Sequence, residues 1–137
     1  MDFVLDEHQI HFKERLSRWD AEKIVLAVRT FAPKEKVVLV LACGAVETHF
    51  SLGQVGDDGK SLGPYQVQHR YHKNVSRLML QWDITTNTRE AVKHLKQSEW
   101  DAQIYNAGFK GKKRGKGKGH LRKVLKAKER IENGYCD

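Results

Sequence analysis

The run "KVVLVLACGAVE" at residues 36–47 decides the fold, because it suits either a buried strand or a buried helix. Its valines favour the strand. Ala42, Cys43, Gly44 and Ala45 do not, and the segment from Pro33 to Thr48 is long beside the about five or six residues of a usual strand. The pattern therefore predicts a helix, with Pro33 at its first position and Glu35 in its first turn. Apolar nearly all round, it is expected to be a central buried helix. The fold class that follows is mainly α, of the α+β kind: a helical domain around that buried helix, with a small β-hairpin.

Working outward, helical periodicity dominates. "SRWDAEKIVLAVRTF" carries Ile24, Val28 and Phe31 on one face. Val75, Leu78, Met79 and Trp82 share another. "NTRE", Asn87 to Glu90, reads as a capping box opening a helix with Val92 and Leu95 inward. "SEWDAQIYNAG" predicts a short helix ending at Gly108, and Leu121, Val124, Leu125 and Ile131 a last one closed by Asn133 and Gly134. Hairpin character is confined to "QVGDDGKSLGPYQV", residues 54–67. Residues 109–119 are rich in glycine and lysine and are expected to be a basic flexible loop. With 137 residues and no repeat, one domain is expected over 1–137, beginning with a helical region at 1–32.

Net charge is +8, from 25 basic and 17 acidic residues. The excess is local. Lys110, Lys112, Lys113, Arg114, Lys116, Lys118, Arg122, Lys123, Lys126 and Lys128 follow one another with no acid among them, leaving 15 basic against 17 acidic residues elsewhere. Such a flank implies an anionic partner: nucleic acid, a lipid surface or an anionic cell-wall polymer. No apolar stretch reaches the roughly 18 residues that span a bilayer, so no transmembrane segment is expected. The acidic N-terminus "MDFVLDEHQIHFKERL" has neither a basic n-region nor a small-residue cleavage site, so no signal peptide is expected either.

Cys43 and Cys136 are the two cysteines, too few for a disulfide framework or a four-thiolate zinc site. Cys43 reads as a small core residue. His69 and His72 stand three apart in "HRYH", as do His8 and His11, but no third ligand accompanies either pair. Surface or cleft-lining histidines are expected, with no metal and no cofactor. "DDG" lacks the other oxygen ligands of a calcium loop and reads as a tight turn.

One carboxylate stands apart. If Glu47 ends the central helix, apolar neighbours and the negative end of the helix dipole are both expected to raise its pKa. A glutamate protonated near neutral pH is what a general acid for glycoside cleavage requires. By itself the position also fits a solvated residue at a helix end.

Glu47, then "GPYQV" from Gly63 to Val67, then "YNAG" from Tyr105 to Gly108, occur in an order and spacing similar to the soluble lytic transglycosylase and goose-type lysozyme group of lysozyme-like proteins. The resemblance runs from about Pro33 to Leu125. It implies a lysozyme-like fold, a peptidoglycan glycan strand as substrate, Glu47 as catalytic acid, Gln66 as a hydrogen-bonding partner of the sugar, and Tyr105 with its hydroxyl facing the glutamate. Asn106 and Gly108 would end a helix and shape the cleft wall. Pro64 and Tyr65 replace the group's usual leucine and methionine, altering a wall that packs on sugar, and neither Ser51 nor Ser61 is a secure match for the serine near the N-acetyl group. The "GDDG" turn resembles that of the goose-type lysozymes, in which an aspartate helps hold water. Asp57 aligns with that residue, but the group's second aspartate would fall at Gln68.

Two mechanisms follow from the resemblance. In a lytic transglycosylase, Glu47 protonates the oxygen between N-acetylmuramic acid and N-acetylglucosamine, then takes the C6 hydroxyl proton as an anhydro ring closes. An inverting hydrolase needs a second carboxylate roughly 6.5 to 9.5 Å away, a part open to Asp57 or Asp58 if the hairpin folds over the cleft. The missing second aspartate favours the lyase. A nucleic-acid-binding module is the rival class, since a lysine-rich segment can neutralise phosphates, but with Phe109 as its one aromatic the basic run has little for base stacking. Without a signal peptide, such an enzyme resembles a phage product made in the cytoplasm: an endolysin released through a holin, or a lytic virion component, monomeric and acting on the wall in the periplasm.

Overall fold

The computed structural model describes residues 1–12 and 16–133. Seven α-helices occur among them: α1 Asp2–Phe12, α2 Arg18–Phe31, α3 Val37–Thr48, α4 Arg77–Trp82, α5 Ile84–Gln97, α6 Ala102–Lys113 and α7 Lys118–Glu132. Between α3 and α4 lie three two-residue strands, β1 Val55–Gly56, β2 Ser61–Leu62 and β3 Val67–Gln68. No helix of the described residues is long and apolar enough to cross a membrane. Gly134 and Cys136 fall outside those residues, as does the side chain of His11.

The deciding run is a helix. Pro33 does not open it: its extended ψ of 148° makes it the cap of a 3-10 turn at Lys34–Lys36, and α3 begins after that turn. Val40, Ala42, Cys43, Gly44, Ala45 and Thr48 of α3 are buried, while its first turn is half-buried. Helix α3 packs chiefly on α7, and α2 on α5. A glycine in mid-helix costs about 1 kcal/mol relative to alanine, and Gly44 has a packing reason to be there. A Cβ on it would stand 2.6 Å from the Phe50 ring and 3.0 Å from the Tyr65 ring.

Two apolar clusters fill the interior. The larger joins Val40 and Cys43 of α3 to Leu62, Tyr65, Leu80, Leu95 and Val124. The smaller joins Phe3, Val4 and Leu5 of α1 to Ile24, Ala45 and Phe50. Phe3 meets Phe50 edge-on at 6.1 Å, and the buried Glu7 carboxylate accepts from His49 at 3.0 Å and lies 2.6 Å from the Arg130 guanidinium. The N-terminal helix is thereby fastened to the residues that terminate α3.

Three expectations need correction. "NTRE" does not open α5: Asp83, four residues earlier, caps it by accepting from the Thr86 amide at 2.9 Å, so Asn87 and Glu90 become fully buried interior residues. The face of Val75, Leu78, Met79 and Trp82 is not buried, with Leu78, Met79 and Trp82 at 70%, 47% and 63% exposure. Helix α4 is six residues long and docks through Leu80, whose carbonyl accepts from Asn87 at 2.8 Å. Residues 109–119 are not a flexible loop. Helix α6 continues to Lys113, and the turn that follows is held by the Gln103 amide, which donates to the Lys116 carbonyl at 2.8 Å. Lys112 pairs with Asp101, the α6 cap, in the same corner.

The expected hairpin is present and gains a third strand. Val55 pairs with Leu62 and Gly56 with Ser61, then Ser61 with Gln68 and Leu62 with Val67, all antiparallel. Asp57 and Asp58 both have left-handed φ, 51° and 56°, the pattern of a primed hairpin turn. The Arg77 guanidinium donates to the Gly59 carbonyl and ties that turn to α4.

Candidate active site

Glu47 occupies the last turn of α3, where the chain leaves the helix abruptly. His49 and Phe50 are left-handed, at φ 53° and 61°, and their amides donate back to the carbonyls of Ala45 and Gly44. Left-handed backbone is costly for such side chains and persists where surroundings over-determine it. Here Glu7 grips His49, and Phe50 is fully buried. The Thr48 hydroxyl, donating to the Pro64 carbonyl at 2.7 Å, ties the helix end to the loop before β3.

The Glu47 side chain is 16% exposed, and its pKa is pushed up to about 7. Burial is the larger cause, as the sequence predicts; the charge of Asp57 adds to it. Asp57, in the turn between β1 and β2, thus lies close enough for its charge to act on Glu47, and both line the same cleft. Asp57 is itself steadied, since its carboxylate accepts from the Ser61 hydroxyl at 2.6 Å and Gln68 donates to that hydroxyl at 3.4 Å.

Glu47 opens into a cleft of about 430 Å³, within the range of small-ligand sites. Asp57, Gln66, Tyr105 and Asn106 all line it, so five of the expected residues, counting Glu47, come together. Gly108 lines it too. Its φ of 76° and ψ of 168°, a combination essentially restricted to glycine, kink α6 there instead of ending it.

Two expected residues do not join them. Tyr65 is fully buried and donates its hydroxyl to the Val40 carbonyl at 3.0 Å, so it is a core residue bracing α3 and not a sugar-packing wall. Asp58 is exposed in the turn and does not line the cleft. Two more arrive with part of their hydrogen bonding committed. The Gln66 amide nitrogen donates to the Gly63 carbonyl at 3.1 Å and to the Gln54 carbonyl at 3.4 Å, and its carbonyl oxygen lies close against Gly56. The Tyr105 hydroxyl donates to the Tyr65 carbonyl at 3.2 Å; burial first, and the nearby Glu47 charge second, hold its pKa well above the usual phenol value.

Beyond Tyr105 the wall is made of imidazoles. The His94 ring lies 4.6 Å from Tyr105 and 6.1 Å from His72, and burial followed by the charge of His72 lowers the His94 pKa. His72 lines the cleft with its Nδ1–H on the buried Glu90 carboxylate at 3.1 Å. Burial alone would raise the Glu90 pKa, but hydrogen bonds from His72 and Arg89 and the charge of Lys93 leave it lowered. His69 turns elsewhere, donating to the Val75 carbonyl at 3.0 Å, so the "HRYH" pair does not converge.

Sequence reasoning missed His120. Its Nε2 is 3.4 Å from Glu47 Oε1, its side chain is 13% exposed, and that nitrogen is buried with no hydrogen bond. Burial, then Lys123, lowers its pKa. The signal was present: His120, Val124, Ala127 and Ile131 follow helical spacing on one stripe of α7, but His120 directly follows the segment read as a flexible loop. The basic residues Lys110, Lys112, Lys113, Arg114, Lys116 and Lys118 are all exposed, next to the cleft wall formed by Asn106, Ala107 and Gly108. Comparison with protein-family models, curated protein sequences and solved structures found no match.

Proposed function

We propose that this chain has a lysozyme-like fold and is a lytic transglycosylase of peptidoglycan, cleaving the β-1,4 bond between N-acetylmuramic acid and N-acetylglucosamine. The observation that carries this reading is a carboxyl group of pKa about 7, buried at a helix end and opening into a polar cleft. At neutral pH roughly half of such a group is protonated and half ionised, which suits a residue that must act as acid and then as base. Glu47 gives its proton to the glycosidic oxygen, while the N-acetyl group or sugar ring of the substrate carries the developing positive charge. Its carboxylate then takes the proton of the C6 hydroxyl, the anhydromuramic ring closes, and Glu47 is protonated again.

Gln66 lines the cleft as the residue assigned to bind sugar, and Asn106 and Gly108 form the cleft wall. Gln68, which lines the cleft, falls where the resembling group has its second aspartate and offers an amide instead, which favours one-carboxylate chemistry. The exposed basic surface from Lys110 to Lys128 holds the anionic wall. Action on the wall after release through a holin, or as part of a virion, belongs to the same proposal.

Asp57 supports a second reading, a goose-type muramidase, because it lines the same cleft and acts electrostatically on Glu47. Mass spectrometry of purified peptidoglycan after digestion separates the two. Anhydromuramic ends, lighter by one water, support the lyase; reducing ends alone shift the assignment to hydrolysis through Asp57. Glu47→Gln is expected to lower cleavage about 100-fold or more, the typical contribution of general acid catalysis. If the parent protein releases no glycan fragments, both readings fall.

A further inference from the structure

Resting on the assignment of Glu47 as proton donor, we propose that His120 is a positioning residue that stabilises the Glu47 carboxylate between the two halves of the reaction. A buried polar atom without a partner is uncommon and calls for a reason, and His120 Nε2 is the one such side-chain atom among the described residues. It faces Glu47 Oε1 at 3.4 Å, slightly beyond a usual hydrogen bond of about 2.9 Å.

The need for such a group follows from what else faces Glu47. Asp57 approaches from the β1–β2 turn and is acidic. Tyr105 approaches from α6, but its hydroxyl is donated to the Tyr65 carbonyl. Cys43, one turn earlier on α3, is a buried thiol whose pKa is pushed up by burial and by Glu47 itself. Lys123, one turn further along α7, acts on His120. Burial, the Asp57 charge, the committed Tyr105 hydroxyl and the Cys43 thiol suit the neutral acid, and they leave without a donor the carboxylate that remains once the proton has left. The Lys123 charge is set against His120 and is not among the causes that act on Glu47. An Nε2–H turned a few tenths of an ångström towards Oε1 supplies the missing donor. The proton balance is unchanged: the leaving oxygen receives the Glu47 proton, the C6 hydroxyl later returns one, and His120 keeps its own.

The test compares His120→Phe, which keeps a ring and removes the donor, with His120→Gln, which keeps an N–H. Glu47 ionisation is followed by carbon NMR of labelled glutamate carboxyls without substrate. His120→Phe is expected to move the midpoint upward by about one pH unit, a tenfold weaker acid, and to lower kcat with KM unchanged; His120→Gln is expected to restore most of both. His120→Ala gives the same comparison if the larger ring does not fit. A midpoint that stays or moves down in a folded variant, with glycan cleavage by the parent intact, overturns the role of His120 alone. Absence of cleavage by the parent removes the reaction, and with it this role, whatever the titration shows.

Discussion

Glu47→Gln is expected to make the protein more stable in mildly alkaline solution while removing its activity. The folded state raises the Glu47 pKa from an ordinary 4.5 to about 7. Between those values the unfolded chain has released a proton that the folded chain retains, so stability falls as pH rises through that window. At about 1.4 kcal/mol per pH unit, the loss is a little over about 3 kcal/mol at pH 8, close to its limit. It is absent below about pH 4, where both states hold the proton. Glutamine is neutral in both states at every pH and escapes the loss. Urea denaturation of parent and variant, followed by tryptophan fluorescence from pH 4 to 8.5, isolates the term, because the other titrating groups largely cancel in the difference. The expected difference is near zero at pH 4 and about 3 kcal/mol in favour of the variant at pH 8. A difference that does not change with pH, or that favours the parent at pH 8, would refute the buried-acid account of Glu47. A site that is destabilising when unoccupied is a common cost of activity.

Asp57→Asn removes the second cause of the raised Glu47 pKa, so the alkaline limb of the cleavage profile is expected to move to lower pH with anhydro products retained; complete loss of turnover would instead identify Asp57 as a hydrolytic base. Asn87→Ala leaves the Tyr65 amide and the Leu62 and Leu80 carbonyls unpaired in the core. At about 1 kcal/mol or more for each, it is expected to cost about 3 kcal/mol in a urea titration. Changing Lys113, Arg114, Lys116 and Lys118 to glutamine, while keeping Lys112 for its pairing with Asp101, is expected to weaken binding to intact sacculi and flatten its salt dependence. Cleavage of short soluble glycan fragments would change little. Tight duplex DNA binding in a gel-shift titration, lost in the same variant, with no glycan cleavage by the parent, would favour the nucleic-acid class.

Local pattern alone was sufficient for what depends on local chemistry. The length of the apolar run and its Ala-Cys-Gly-Ala favoured a helix over a strand, "GDDG" read as a tight turn, and the spacing of Ile24 and Val28 put them on one face of α2; each is what the fold has. Glu47 was only half legible in the same way: the helix end could equally have left it solvated, and it is the β1–β2 turn with Asp57 and helix α7 with His120 that enclose it.

Tertiary structure decided matters that depend on which surfaces meet. Asn87 looked like a helix cap because Asn, Thr, Arg, Glu is a capping pattern, yet its amide serves three backbone groups of other segments, two of them far along the chain. Tyr65 was expected in a cleft wall because it stands where the resembling group has a residue that packs on sugar, but its ring fills the space beside Gly44 in the core. The glycine and lysine segment looked mobile by composition, and a single buried glutamine, Gln103, orders it from 13 residues away. His120 gained its meaning by the same route. Helical spacing puts it on the inward stripe of α7 with Val124 and Ala127, but only the packing of α7 on α3 brings its unpartnered nitrogen to the carboxyl of Glu47.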